Sequence, residues 1–258
     1  MLPSMQWHFL TSPASSGDVN MAFDEALMQR AASGIAVFRV YGWSSPTLSL
    51  GRNQRARGLY NLTAASEMGV GIVRRPTGGR ALLHHREITY SVALPAPEPA
   101  EARVAYGFIN DVLLRGLRSL GVDAALATAT LALPPGPRPC FDVPAEREIV
   151  VGARKLVGSA QWRRNGALLQ HGSILVRDDQ QLIPRLMCAA DDANPAAATL
   201  AEELGREPRT GEVADALRAA LGDVTGTAVR DFEPDAVLLT EIDRLSGTYR
   251  DDGWTWRR

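Results

Sequence analysis

The sequence predicts an α+β protein with a mixed, largely antiparallel sheet flanked by helices and a small helical C-terminal portion. Two segments, residues 18–34 and 101–121, place apolar side chains at the spacing of one helix face. A third, residues 148–176, has the pattern of three strands joined by tight turns. With 258 residues and 45% hydrophobic content, the chain can bury a full core in one large domain, alone or with a small appendage.

The first helix is predicted within DVNMAFDEALMQRAASG, residues 18–34. Asp18 is suited to cap its N-terminus, and Gly34 to end it. Between them the apolar side chains recur at near-helical spacing, which predicts an amphipathic helix. These apolar positions are Met21, Phe23, Ala26, Leu27 and Ala31.

Four short strands are predicted after this helix. IAVFRVYGW (35–43) and PTLSLG (46–51) surround a turn at residues 44–46. GVGIVRR (69–75) and EITYSVALP (87–95) flank a glycine turn.

The central region is predicted as one helix followed by three strands. Residues 101–120 return to helical spacing, and Gly121 ends that helix. In residues 148–176, Asn165-Gly166 is a strong two-residue hairpin signal and Gly152-Ala153 a weaker one. Lys155 would therefore lie near the start of the middle strand.

Helical patterns dominate the C-terminal part of the chain, in TLAEELG, GEVADALRAALG and PDAVLLTEIDRLSGTYR. We therefore divide the chain into residues 1–183, which hold the sheet, and residues 184–258, a helical portion expected to pack on the same domain.

Composition excludes several classes of function. A formal net charge of −1 argues against general nucleic-acid binding, so any basic patch must be local. No apolar run approaches the ~18 residues of a membrane span, and the start MLPSMQWHFLTS lacks the pattern of a signal peptide. We expect a cytoplasmic protein with neither a membrane nor a nucleic-acid partner. Two cysteines are too few for a disulfide framework and are expected as free thiols.

Two cofactor motifs are imitated but incomplete. GVGIVR begins like a dinucleotide fingerprint, but Arg74 occupies the third glycine position. HRE at 85–87 followed by PC at 139–140 imitates a zinc deaminase, but Val143 stands where the second cysteine ligand is required. We expect no metal and no cofactor.

The segment RRPTGGRALLHHREITYS, residues 74–91, is the first candidate binding element. Gly78 and Gly79 allow close approach of a backbone to a ligand, and Arg74 and Arg75 supply cationic donors beside them. The plainer interpretation is a tight hairpin with solvated arginines.

Histidines supply further candidates. His84 and His85 should point to opposite faces of a strand, so at most one faces a site. His171 is ambiguous, and its neighbour Gly172 again suggests close backbone approach.

Cys140 follows a proline-rich loop and precedes Lys155 by fifteen residues. It could be a packed thiol, a metal ligand or a nucleophile. A free cysteine is only a few per cent thiolate at pH 7, so a nucleophilic one needs a nearby cation or base, and Lys155 is a candidate. Cys188 has no basic partner close in sequence, and we expect it to be a packed thiol on a helix.

Four separated blocks, NMAFDEAL, RVYGWSSPTLSLGRNQ, RRPTGGRALLHHREITYS and CFDVPAEREIVVGARKLVGSAQWRRNGALLQHGSILV, occur in the order seen in the lipoate and biotin protein ligase superfamily. From about residue 20 to residue 176 the chain most closely resembles the octanoyltransferase branch with a cysteine nucleophile. The resemblance implies a biotin/lipoate protein ligase-like catalytic domain over residues 1–183, with the acyl chain in a tunnel beside the RRPTGG turn. It also implies transfer of an octanoyl group from acyl carrier protein to a lysine of a lipoyl domain, such as glycine cleavage H protein, in lipoate biosynthesis.

The resemblance implies that Cys140 forms the acyl thioester and that Lys155 activates it. To the pocket it assigns six residues, to which we add Arg74, Arg75 and Gly172 as substrate-binding candidates. Two departures from the family pattern, His85 in place of aspartate and Ala145-Glu146 after the cysteine, leave the role of His85 and the acceptor preference open. The six implied pocket residues are Gly78, Gly79, His84, Ser159, Ala160 and His171.

Three functions compete at this point. The first is acyl transfer through a Cys140 thioester, which we favour. The second is an ATP-dependent lipoate-protein ligase, in which Lys155 would hold an acyl-adenylate. The third is a non-catalytic protein that binds acyl groups.

Overall fold

The computed structural model describes residues 5–96, 98–128, 147–189 and 196–258. The strands in these ranges are β1 (Trp7–Thr11), β2 (Ala36–Tyr41), β3 (Thr47–Leu50), β4 (Gly71–Arg74), β5 (Leu82–His84), β6 (Glu87–Pro95), β7 (Ala124–Leu126), β8 (Ile149–Val151), β9 (Arg154–Arg164), β10 (Ala167–Leu175) and β11 (Arg230–Asp231). The helices are α1 (Gly17–Ala31), α2 (Leu62–Glu67), α3 (Pro99–Ser119), α4 (Leu200–Leu204), α5 (Thr210–Thr225), α6 (Ala236–Arg250) and α7 (Asp252–Thr255), with a 3-10 helix over Asp179–Leu186.

The strands form two sheets. The larger has the order β11-β1-β2-β6-β10-β9-β8-β7, and the smaller has the order β4-β3-β5. Pairing is parallel only for β11-β1, β1-β2 and β3-β4 among the described pairs. The predicted α+β class, with a mixed and largely antiparallel sheet flanked by helices, is confirmed, as are the three antiparallel strands β8, β9 and β10.

Helices cover both faces of the larger sheet. One apolar cluster joins the sheet to α3 and α5, and a second joins its other face to α1 and α6. Successive side chains of β2 enter different clusters, because neighbours on a strand point to opposite faces. Phe38 packs with α3, whereas Val37 and Tyr41 face α1. The central strands are therefore buried on both sides.

Helix α1 begins two residues earlier than predicted. Ser16 is its N-cap, and Asp18 lies in the first turn, where its carboxylate accepts a hydrogen bond from the Ser16 hydroxyl. The N-cap prediction for Asp18 was wrong, but a carboxylate in the first turn still favours the helix through its dipole. Gly34 follows the helix with φ +98°, which agrees with the predicted stop.

The segment that contains Gly78 and Gly79, residues 75–81, is not a hairpin; we call it the glycine segment. Strands β4 and β5 both pair with β3, on opposite sides, so the chain crosses over at residues 75–81. The sequence pattern missed β5 because it has only three residues. The hairpin interpretation was therefore wrong, and it is this crossover that brings the segment against the larger sheet.

The predicted C-terminal helices are confirmed as elements α4, α5 and α6. Helix α5 packs on α3, α6 packs on α1, and β11 extends the larger sheet beside β1. The division of the chain at residue 183 stays a prediction. Cys188 is exposed and follows the 3-10 helix, so its placement as a packed thiol on a helix was wrong.

Among the described residues, no helix is both long and apolar enough to cross a bilayer.

We predict that Gly116→Ala destabilises the contact between α3 and α5. A Cβ atom at this position would lie 2.7 Å from Leu217 Cδ2 and 3.2 Å from Leu217 Cα, so backbone as well as side chain would have to move. Overpacking of this kind costs about 1–3 kcal/mol in the free energy of unfolding, measurable by urea denaturation. Gly247→Ala on α6 is the matched control: it meets nothing within 4 Å and should be neutral or stabilise by up to about 1 kcal/mol. Equal effects of the two changes would contradict close packing at Gly116.

Candidate active site

A cleft of about 350 Å³, including its mouth, lies between the α1 side of the larger sheet and the smaller sheet. Six of the predicted substrate-binding residues line it: Arg75, His84, Ser159, Ala160, His171 and Gly172. Four further lining residues were not predicted: Met21, Tyr41, Leu82 and Gly158.

The wall between β9 and β10 is formed by backbone. A Cβ atom at Gly172 would lie 2.5 Å from the Gly158 carbonyl oxygen and 2.6 Å from Tyr90 Cε1, so only glycine fits. Beside it, the Ser159 hydroxyl is 2.7 Å from the Tyr90 hydroxyl. The expected close backbone approach at Gly172 is confirmed, although the partner is a neighbouring strand.

A buried carboxylate, Asp24 of α1, organises the floor of the site. The strand register aligns Arg39, Ser91 and His171 in one row across β2, β6 and β10, directly beneath the helix. Each carboxylate oxygen accepts two hydrogen bonds. Oδ1 accepts from Arg39 at 2.9 Å and Ser91 at 2.6 Å, and Oδ2 from Tyr41 at 2.8 Å and His171 at 3.0 Å.

The charge of Asp24 is stabilised despite its burial. Burial opposes ionisation, but the hydrogen bond from His171 and the charge of Arg39 outweigh it, so the pKa of Asp24 is lowered. An ionised carboxylate accepts hydrogen bonds without donating any, so Nδ1 of His171 must carry a proton.

His171 bridges this carboxylate to the glycine segment. Its Nε2 lies 2.6 Å from Thr77 Oγ1. Burial lowers the pKa of His171, against the opposing effect of Asp24, and so favours the neutral imidazole. In the neutral ring Nε2 accepts a hydrogen bond from the Thr77 hydroxyl. A group in the cleft could therefore bond to Nε2 of His171 only by displacing the Thr77 hydroxyl.

The two adjacent histidines point to opposite faces, as predicted. His84 is buried and lines the cleft, stacks on Trp43 with ring centroids 3.9 Å apart, and places Nδ1 2.7 Å from Glu87 Oε1. His85 is exposed, and its Nδ1 lies 3.3 Å from an Asp179 oxygen. Only His84 reaches the cleft.

Arg75 holds the glycine segment in shape. Its guanidinium donates to the carbonyl oxygens of Ser49 at 2.8 Å, Gly78 at 2.8 Å and Arg80 at 2.7 Å. Gly79 has a φ of +94°, and its carbonyl group packs against Gly51. A Cβ atom at Gly51 would lie only 1.9 Å from the Gly79 carbonyl oxygen. The segment is thus preorganised by its own cation.

Three predicted binding residues lie outside the cleft lining: Arg74, Gly78 and Gly79. Arg74 is fully buried and donates to backbone carbonyls, including Thr255 at 2.7 Å and Gln54 at 2.9 Å. The glycines form the turn behind Arg75. That these residues contact substrate stays a prediction.

Lys155 lies at the start of β9, as predicted, and is buried. Its Nζ is 2.8 Å from Glu148 Oε1, and Glu148 is buried too. Cys140 lies outside the described residues, so its position relative to Lys155 stays a prediction.

Sequence reasoning missed the polar residues that support the lining side chains. Asp24 did carry a signal, because with Asn20 it places polar groups four residues apart among the apolar positions of α1. Thr77 gave no comparable signal, because its partner His171 is 94 residues away in sequence. The sequence around Glu87 and Glu148 has no pattern that indicates their burial. Within the described ranges, no group of three or more His, Cys, Asp or Glu residues could hold a metal ion.

Comparison with known proteins relates this chain to proteins of lipoate metabolism. The model of the lipoyl protein ligase A/B catalytic domain matches residues 16–222. An octanoyltransferase LipM from Kyrpidia tusciae is 37% identical over 98% of this chain and 99% of its own. A second, from Staphylococcus aureus, is 33% identical over the same shares.

Solved structures share the fold. A lipoate-protein ligase A with bound ATP superposes with a TM-score of 0.81 at 20% identity, covering 98% of this chain and 99% of that one. A bipartite lipoate protein ligase from Thermoplasma acidophilum gives a TM-score of 0.80 at 19% identity, covering 98% and 96%. At these identities the likeness establishes the biotin/lipoate protein ligase-like fold alone.

We predict that His171 makes the folded protein sensitive to mild acid. Folding lowers the pKa of His171 below its ordinary value of about 6.5. As the pH falls below about 6.5, the imidazole is therefore protonated in the unfolded chain while it is still neutral in the folded protein. This contribution to stability is present above that pH and is lost as pH falls towards the folded pKa. The drop in urea-unfolding free energy from about pH 7.5 to about pH 5.5 should be smaller for His171→Gln than for the wild type.

The control for this prediction is His85→Gln, which removes the exposed neighbour and leaves His171 in place. It should retain the pH-dependent loss of stability. If His171→Gln and the wild type lost the same free energy on acidification, the neutral buried imidazole would be contradicted.

Proposed function

The chain belongs to the lipoyl protein ligase A/B catalytic domain family and to its octanoyltransferase branch, and from that membership we propose that it transfers octanoyl groups in lipoate biosynthesis. The donor is octanoyl-acyl carrier protein, and the acceptor is a lysine of a lipoyl domain such as glycine cleavage H protein. Relatives named as octanoyltransferases align with nearly the whole chain, which favours this function over a non-catalytic acyl-binding role.

The observation that carries the proposal is the composition of the cleft. Met21, Tyr41 and Leu82 give it apolar walls, and the backbone beside Gly172 closes one side. A short saturated chain is stabilised in such a space by removal of its apolar surface from water, at roughly 25 cal/mol per Å². His171 and Ser159 provide polar groups for the carbonyl end of the chain.

The proposed chemistry proceeds through Cys140. Its thiolate attacks the thioester carbonyl of the donor, the carrier thiolate leaves and takes up a proton, and an acyl-cysteine thioester remains. The amine of the acceptor lysine then attacks the same carbonyl. An amide forms, the Cys140 thiolate leaves, and the amine loses a proton to a base. The octanoyl group is a thioester before each of the two steps, so no nucleotide is consumed.

Lys155 is proposed to stabilise the Cys140 thiolate. An ammonium group in a pocket of reduced dielectric favours a nearby thiolate, because charge–charge attraction is strongest away from bulk water. Glu148, 2.8 Å from Nζ, supports the proposal because it gives the buried ammonium a counter-ion while the sulfur is acylated and neutral.

The cytoplasmic location stays a prediction.

We predict that octanoyl-acyl carrier protein adds the mass of one octanoyl group to the protein without ATP, and that neutral hydroxylamine releases it. Cys140→Ser should give no adduct, because a serine hydroxyl has no comparable anionic fraction near pH 7. Cys188→Ser is the matched control and should be acylated normally, since its exposed thiol lies outside the cleft lining. Intact-mass spectrometry checks all three proteins. No adduct on the wild type, or octanoyl transfer that proceeds only with ATP, would contradict the thioester mechanism.

We predict that Lys155→Ala moves the pH profile of Cys140 alkylation upward by about two pH units, equivalent to about 2.7 kcal/mol. The measurement is the iodoacetamide rate against pH in a Cys188→Ser background, where Cys140 is the only thiol. Lys155→Arg keeps a cation but cannot release a proton, so it should restore alkylation better than it restores transfer. Superimposable profiles for the three proteins would exclude Lys155 as the group that activates Cys140.

A further inference from the structure

A second buried carboxylate and histidine adjoin the cleft, besides Asp24 and His171. Glu87 begins β6, His84 ends β5, and His84 Nδ1 lies 2.7 Å from Glu87 Oε1. The side chains of His84 and Glu87 are only 6% and 1% exposed, so bulk water does not solvate the carboxylate. Among the described residues, His84 is the only ion-pair partner of Glu87.

The hydrogen bonds around Glu87 determine which nitrogen of His84 carries a proton. The indole Nε1 of Trp43 can only donate, and it donates to Thr89 Oγ1 at 2.7 Å. Thr89 therefore donates its own proton to Glu87 Oε1, at 2.5 Å, and the Ser173 hydroxyl donates to Oε2. Hydrogen bonds donated to a carboxylate favour its ionised form, so Glu87 accepts and Nδ1 of His84 donates.

Nε2 is consequently the nitrogen of His84 that gains or loses a proton, and His84 lines the cleft. No hydrogen bond to this nitrogen is formed within the part of the chain that the structure describes. In His171, the other histidine of the cleft, Nε2 is bonded to the Thr77 hydroxyl at 2.6 Å. Both histidines are anchored through Nδ1 by a carboxylate, but only His84 keeps a nitrogen available to a ligand.

The surroundings of His84 suit an imidazole that accepts a proton. Its ring stacks on Trp43 at an interplanar angle of 14°, which fixes the ring and places the electron-rich face of the indole against it. On protonation the ring forms a neutral pair with Glu87, so no uncompensated charge is buried. A carboxylate that orients an imidazole and balances its charge is the arrangement found in general-base catalysis.

Strand register places this pair at the level of Lys155. Glu87 is opposite Leu175 of β10, and the residue before Leu175 is paired with Val157 of β9. Lys155 is two residues from Val157 on the same strand. The pair and Lys155 therefore lie at the same height in the sheet, on strands that only β10 separates.

We propose that His84 is the base that deprotonates the attacking amine of the acceptor lysine, with Glu87 as its positioning residue. The inference rests on the proposed function and identifies the base that this function requires. A C–N bond forms as the amine attacks the acyl carbon, and the C–S bond to Cys140 breaks. The proton lost by the amine goes to Nε2 of His84, which later releases it to water. Lys155 stays an ammonium to stabilise the leaving thiolate, so the base must be a different group.

Other ionisable groups surround His84 and bear on its pH dependence. Among them only Glu87 bonds to the imidazole, so we expect Glu87 to have the largest effect on the proton affinity of Nε2. The others are Arg75 of the glycine segment, His171 of β10, Tyr41 of β2, Asp24 of α1 beyond His171, and Asp179 of the 3-10 helix, which bonds to His85 and Arg86.

The test isolates the second half-reaction. Each protein is acylated with octanoyl-acyl carrier protein, the acyl-enzyme is purified, and loss of the octanoyl mass is followed with one of two nucleophiles. The first is a lipoyl-domain protein, whose amine must lose a proton during attack. The second is hydroxylamine, which is uncharged near pH 7 and needs no base from the protein. The variants are His84→Gln, His84→Asn and Glu87→Gln, and the matched control is His85→Gln at the exposed neighbouring position.

We expect both His84 variants to slow transfer to the lipoyl domain roughly a hundredfold, because general bases typically contribute at least that factor. Hydroxylamine should release the octanoyl group from them at the wild-type rate. Transfer by the wild type should rise with pH through an inflection that both variants lack. Glu87→Gln should move this inflection to lower pH, because the imidazolium loses its counter-ion. His85→Gln should match the wild type throughout, and melting temperatures establish that the variants are folded.

Four outcomes would overturn the proposal. They are transfer by the His84 variants at the wild-type rate, equal slowing with both nucleophiles, an inflection that persists without His84, and folded His84 variants that cannot be acylated. If the His84 variants do not fold, the Glu87→Gln profile decides, and an inflection at the wild-type pH would refute the pairing. Failure of the proposed function is distinguishable, because the wild type would then form no acyl-enzyme.

Discussion

A single buried carboxylate joins the three layers of this protein at the cleft. Asp24 comes from α1, yet its four hydrogen-bond donors come from β2, β6 and β10. A charge removed from water is tolerated only when it is fully paired, and breaking a buried pair typically costs about 3–5 kcal/mol. The helix can therefore occupy only the rotation and height that place this carboxylate over the row of donors. Because Met21 is on the same helix, this constraint also fixes one wall of the cleft.

His171 connects Asp24 to the glycine segment by hydrogen bonds, so the position of the carboxylate also constrains that segment. The neutral imidazole has one donor and one acceptor, and both are used, by Asp24 and by Thr77. Arg75 then anchors the segment to β3 through Ser49. The cleft wall is held by polar contacts that each have a defined direction. The two apolar clusters on the faces of the larger sheet are held by packing, which tolerates rearrangement more readily.

Periodicity predicted the elements well and their assembly less well. The helices and the hairpin at Asn165-Gly166 carry local signals, and the structure contains them. The three-residue strand β5 was missed because alternation over three positions is indistinguishable from chance, and the crossover at residues 75–81 was therefore interpreted as a hairpin. Residues of the cleft lining such as Ser159 and His171 were predicted from the resemblance of whole sequence blocks to the family. Asp24 and Glu148 were not predicted, because a carboxylate is recognised as buried and paired only once the side chains around it in the fold are known.

The contact of Gly172 with Gly158 and Tyr90 has a consequence for how this protein can diversify. One limit of the cleft is set by the spacing of two paired strands, and any side chain at position 172 would require those strands to separate. Single substitutions can enlarge or shorten the described cleft only where its limits are side chains, as at Met21 and Leu82. Descendants of this sequence that accept a longer or shorter chain should therefore differ at those positions and retain the glycine.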